Sequence, residues 1–188
     1  AAHRQGAPMS FSFVSRVIAL AAATFILLAA PAPAQEICHS AGRYAVLEIE
    51  NADSVGTRFA VRIAPGAAKQ LCDFDEAGAD YVVGNENDPL WYAGITPRYL
   101  VMTRSTGPQG DVVIYDLDER KIRLDVPADE VEVDADAAIY WERVAEGTVA
   151  NCPEYGEYQS NGLGAAIAAE TRFDFAGGKA ETTGRTRR

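Results

Sequence analysis

The chain has 188 residues, 48% of them apolar, and its 17 basic against 27 acidic side chains leave a net charge of −10. So acidic a field sets aside nucleic acid and anionic membrane surfaces as partners. A basic partner or a cation fits it better, although solubility alone accounts for surplus acid in an exported protein.

The first 34 residues read as a leader rather than as part of the working protein. From Met9, the expected start, a short polar segment carrying Arg16 runs into an apolar stretch over residues 17–30 and then "APAPAQ". Ala32 and Ala34 occupy the −3 and −1 positions of a small-residue cleavage site, which predicts a cut after Ala34. This run of 14 residues falls short of the roughly 20 that a membrane span requires, and Pro31 and Pro33 follow at once. No transmembrane segment is expected after cleavage, and no cysteine at the cut suggests a lipid anchor. The reading is periplasmic or secreted, with residues 35–188 as a single β-rich domain carrying 15 basic and 27 acidic side chains. A domain of that size buries about 70% of its unfolded surface in one core.

Short strands follow one another along the domain. "RYAVLEIE" (43–50) and "RFAVRI" (58–63) come first, the latter alternating Phe59, Val61 and Ile63 with Arg58, Ala60 and Arg62. Turn chemistry follows at Pro65-Gly66, in "NENDP" (85–89) and in "TGPQG" (106–110). "YLVMT" (99–103), "EVEVD" (130–134) and "AIYWER" (138–143) are rich in β-branched and aromatic residues. "DVVIYDLDERKIRLDVP" (111–127) reads as a hairpin with Val113, Tyr115 and Leu117 on the same face as Ile122, Leu124 and Val126. Pro153 suits a first helical turn continued over residues 154–159. A strand over 168–175, a Gly177-Gly178 turn and a polar edge strand close the chain. The expected fold is all-β and mostly antiparallel, a sandwich or irregular meander with at most one short helix.

"YDLDERK" and "FDFAGGK" align at identical spacing: Tyr115, Asp116, Leu117 and Lys121 match Phe173, Asp174, Phe175 and Lys179. The recurring aspartate suits a strand end, where it accepts hydrogen bonds from the turn backbone. Propeller blades repeat every 40–50 residues or so and a ring needs about four of them. The copies here lie 58 residues apart in a 154-residue domain, so this is not a β-propeller.

Three cysteines, Cys38, Cys72 and Cys152, imply one bridge and a leftover thiol, or a missing partner. Their spacing supports neither a zinc site nor a redox dithiol nor haem attachment, and no cofactor is expected. His39, the only histidine after residue 34, sits four residues from the expected new N-terminus, Gln35, a poor place for a rigid catalytic base. "DFDEAGAD" (73–80) has Asp73, Asp75 and Gly78 where a calcium loop has ligands and its glycine. Ala77 and Gly84 stand where two further oxygens belong, so no metal site is read. Asp116, Glu142 and Asp174 are the acids with apolar strand neighbours, and turn-capping or solvent-facing roles account for them. No residue is assigned as catalytic.

The aromatics remain. Trp91 and Tyr92 in "LWY", and Tyr140 beside Trp141 in "IYW", are candidate binding residues. Adjacent strand residues face opposite ways, so with Trp141 assigned inward on the face of Ile139, Tyr140 is expected to point outward.

The segments "YLVMTRSTGPQGDVVIYDLDERKIRLDVPADE" and "YWERVAEGTVANCPEYGEYQSNGLGAAIAAETRFDF" resemble a group of uncharacterised exported bacterial proteins. A "TGP" turn before a "YDL" hairpin, "NCP", "GLGAAI" and a final hairpin carry the resemblance, over most of residues 99–186 and more weakly over 38–91. It implies export and a β-rich fold, and no activity. Members of the group end in a further cysteine after an arginine, where this chain has Arg188. On that resemblance Cys152 has lost its partner and is free, and Cys38 pairs with Cys72. Antiparallel pairing of the first two expected strands also brings Cys38 and Cys72 to one end. The expected function is non-enzymatic binding of a protein or envelope component. A small carboxylate-dependent hydrolase and a structural or accessory envelope protein are the alternatives.

Overall fold

A computed structural model describes residues 37–64, 72–107 and 109–187. The expected leader and the Pro65-Gly66 turn lie outside them. Eleven strands form a mostly antiparallel sheet: β1 (Ile37–Ala41), β2 (Tyr44–Glu50), β3 (Thr57–Ile63), β4 (Tyr81–Val83), β5 (Leu90–Ile95), β6 (Tyr99–Arg104), β7 (Asp111–Asp116), β8 (Lys121–Val133), β9 (Ala137–Glu146), β10 (Ala166–Asp174) and β11 (Lys179–Arg187). The strands pair in chain order, except that β4 and β5 both lie along one edge of β3. One helix, α1 (Tyr155–Ser160), follows Pro153 as the sequence predicts, and a 3-10 turn covers Glu76–Gly78. The strands run as a meander that passes through β8 from one group of pairings (β1–β8) into a second (β8–β11).

The centre of the sheet is covered on both faces, which explains why "YLVM" in β6 lacks polar alternation. Leu100 and Met102 join Tyr44, Val46, Phe59, Val61 and Val113 on one side. Tyr99 and Val101 join Val112, Ile114, Tyr140 and Phe173 on the other. Burying each of these large side chains contributes about 1.5–3 kcal/mol relative to leaving it in water.

A bend in β8 brings the second half of the chain over this central layer. The sequence suggests two strands, at 122–126 and 130–134, and the structure joins them into one. Residues from Lys121 to Pro127 pair with β7, and those from Ala128 to Val133 pair with β9. At the bend Pro127 has no N–H to donate, Glu130 takes the left-handed φ of 54° and the register shifts between Asp129 and Glu132. Gly94 on β5 admits the returning strand, because a Cβ there would meet Val133 at 2.8 Å.

The β7–β8 hairpin corrects one expectation. Tyr115 is opposite Ile122, but a bulge then sets Leu124 opposite Ile114 and Val126 opposite Val112. Leu124 and Val126 therefore pack on the face opposite Val113 and Leu117. One extra residue, Arg123, inverts the side-chain parity of everything beyond it.

Cys38 and Cys72 form a disulfide, their Cα atoms 5.8 Å apart, and Cys152 is unbridged and buried. The route to the bridge differs from the simple strand-end picture. Gly42, at φ 59°, turns β1 back along β2, so that Cys38 lies beside Leu47 in mid-strand.

Candidate functional site

Trp91 and Tyr92 face opposite sides of β5. Trp91 is 44% exposed and donates its indole N–H to the Ser105 carbonyl at 3.1 Å. Tyr92 turns toward the core and stacks on the His39 ring at 3.5 Å between centroids, and His39 in turn meets the Glu48 carboxylate. Burial, and secondarily the Glu48 charge, pushes the Tyr92 phenol above its ordinary range. His39, expected to be mobile near a terminus, is held in β1 opposite Val46.

Tyr140 corrects the facing of the second aromatic pair. It is 0% exposed, and its hydroxyl finds no hydrogen-bond partner among the described residues. Burial raises its pKa, with the Glu142 charge adding to the effect. The inner face of β9 is marked by Ala138 and Tyr140, not by Ile139, because bulk there comes from Phe173 on the neighbouring strand β10 and from Tyr99 of the facing layer. Tyr140 is thus no outward platform, and the structure does not bring Trp91, Tyr92 and Tyr140 together.

The same parity places Trp141 on the outer face of β8–β11. Its strand neighbours there are Asp129 and Glu170. The guanidinium groups of Arg187 and Arg185 lie 4.5 and 5.6 Å from its ring centroid. Arg185 pairs with Glu170 at 2.6 Å, Arg187 with Glu130 at 2.5 Å, and Arg143 with Asp129 at 2.7 Å. A guanidinium stacked on an indole keeps its N–H edge available to carboxylates while its plane is held by the ring. The strands β10 and β11 carry four cations (Arg172, Lys179, Arg185, Arg187) against three acids (Glu170, Asp174, Glu181) in a strongly acidic chain. Sequence reasoning missed this cluster by placing Trp141 inside. Arg185 and Arg187, two residues apart on a polar strand, were the available signal.

The acids singled out in the sequence have structural partners. Asp116 is 0% exposed and accepts from Arg98 Nε and Nη2 at 3.0 and 2.8 Å and from the Asp118 and Glu119 N–H groups at 3.0 Å each. Asp174 accepts from Gly177 N–H at 2.6 Å and from Arg172 at 3.0 Å. Its carboxyl is held below the usual range, first by that backbone bond and then by Arg172. Glu142 accepts from Thr171. Asp75 accepts from Gly78 N–H at 3.0 Å and caps the 3-10 turn, while Glu76 pairs with Arg58. Among the described residues no group of three or more His, Cys, Asp or Glu side chains is placed to hold a metal ion.

Compared with protein-family models, with curated proteins and with solved structures, the chain matches none.

Proposed function

We propose that this is an exported binding protein, periplasmic or secreted, that recognises an acidic segment of a protein partner, an envelope protein included, through the outer face of β8–β11. The observation that carries this reading is Trp141 beneath Arg185 and Arg187, beside a β11 strand exposed along nearly all its length. Trp and Arg dominate the energetics of protein interfaces, and the exposed Arg185 and Arg187 can exchange their own partners, Glu170 and Glu130, for carboxylates of an acidic segment. With guanidinium groups over the indole, the ring is better suited to carboxylates than to stacking a sugar. Export is supported by the leader pattern and by the Cys38–Cys72 bridge, which persists in oxidising compartments. No helix among the described residues is long and apolar enough to cross a membrane.

A photo-crosslinking residue at Glu181, with one at Ile122 as control, tests the surface in cells. A discrete protein adduct is expected from position 181 alone, and Arg187→Glu should abolish it without altering the circular dichroism. An adduct insensitive to Arg187→Glu, or equal from both positions, would contradict the reading.

A further inference from the structure

Both copies of the aspartate-turn motif deliver an arginine to one hollow. Asp116 holds Arg98, and Asp174 holds Arg172. A cavity of about 440 Å³ opens between these arginines, within the size range of small-molecule sites. Pro97, Tyr99 and Phe175 supply its apolar wall, with the Tyr99 and Phe175 rings stacked at 5.6 Å. Arg98 keeps Nη1, and Arg172 keeps Nε and Nη2, without a hydrogen-bond partner among the described residues. Asp136 lines the same hollow. Its backbone N–H is bound by Asp134 and its carbonyl by Phe175, while its carboxylate pairs with no described group.

We propose that this hollow binds a small zwitterion with an apolar body, of the amino-acid or short-peptide class. The ligand's carboxylate bridges Arg98 and Arg172, its ammonium meets Asp136, and its apolar part rests on Pro97 and Phe175. Two cations and two acids line the space, and Asp174 is already committed to its own turn and to Arg172. A plain anion would leave Asp136 facing it unpaired, and a plain cation would leave the guanidinium edges unanswered. Arg98 is anchored by a buried carboxylate, so its orientation is set before a ligand arrives. The hollow borders the Trp141 surface through Arg172 but includes none of Trp141, Arg185 and Arg187, so variants at those three residues leave it intact and either reading can fail alone.

The test uses L-phenylalanine, 3-phenylpropanoate, which lacks the amine, and 2-phenylethylamine, which lacks the carboxylate. Amide resonances of Ala135, Asp136 and Phe175 should shift on titration with phenylalanine. Each truncated probe should bind roughly tenfold more weakly, the loss of one charged hydrogen-bonding contact. Arg98→Gln would strand Asp116 in the core and endanger the fold, so Arg172→Gln and Asp136→Asn are the informative variants. Arg172→Gln should weaken phenylalanine and 3-phenylpropanoate but spare 2-phenylethylamine, and Asp136→Asn should do the converse. No shift with phenylalanine up to its solubility limit would overturn the proposal. So would shifts that neither variant changes, or a truncated probe that binds as tightly as phenylalanine.

Discussion

The β7–β8 and β10–β11 hairpins share an aspartate, an arginine partner and a turn N–H, yet they bury these groups to opposite degrees. Asp116 ends a strand covered on both faces and has no exposed side-chain surface, whereas the Asp174 side chain is 40% exposed near the sheet edge. Tyr115 and Phe173 show the reverse side of the same comparison: they match in sequence but join different cores. A local motif therefore fixes the turn. The layer it enters decides what the turn is worth.

Breaking both aspartates measures that difference. Asp116→Ala leaves two turn N–H groups without their acceptor and Arg98 with Glu119 alone, and should destabilise the fold by about 3–5 kcal/mol, read as a shift in the urea midpoint. Asp174→Ala should move the midpoint by only a small fraction of that, because water replaces the lost acceptor. Comparable shifts would mean that burial does not separate the two hairpins.

The disulfide gives the next largest effect. It closes a 34-residue separation, and the Cys38→Ser, Cys72→Ser double variant should lose about 3–4 kcal/mol by chain entropy. Thermal unfolding of the oxidised and variant proteins would show it, and an unchanged midpoint would mean that neighbouring strands already constrain this region.

Side-chain truncation along β8 sharpens the parity correction. Leu124→Ala, on the inner face, should cost about 2 kcal/mol. Ile122→Ala, at a side chain 49% exposed, should cost under about 1 kcal/mol. Equal costs would argue against the bulge at Arg123.

The smallest effect is on acid stability. The Asp118 carboxyl is held low by the Tyr44 hydroxyl and by Arg43, and Asp174 by Gly177 N–H and Arg172. A depressed folded-state pKa gives stability that is complete above the unfolded value of about 3.9 and is lost as pH falls through the lower folded value. Tyr44→Phe should flatten the acid limb of a stability–pH curve below about pH 4, and leave the slope between pH 5 and 7 unchanged.

Much of the fold was legible because local chemistry agreed with tertiary environment. The unbroken apolar run of β6 marks a strand covered twice, and Pro153 and Gly178 punctuate elements where expected. Other features depended on the layer opposite. A six-residue reading cannot tell whether Ile139 or Ala138 faces inward, since the answer lies in the bulk that Tyr99 brings from the facing layer and Phe173 from the neighbouring strand. The Arg123 bulge is likewise silent in a run that alternates cleanly. β1 and β5 were missed because a cysteine-histidine pair and a glycine interrupt their patterns. In the fold, these same residues make the bridge, the Tyr92 stack and the passage for Val133. The candidate surface fell to the same parity error: once Tyr140 turns inward, Trp141 must turn out.

Trp141 reports on that surface directly. In a Trp91→Phe background its emission can be followed while poly-L-glutamate is added, with poly-L-lysine as the control. If the face of β8–β11 recognises acidic segments, the emission changes saturably with poly-L-glutamate alone. The response then weakens as salt is raised and disappears in the Arg185→Gln, Arg187→Gln variant. An unchanged signal, or an equal response in that variant, would contradict the proposed recognition surface.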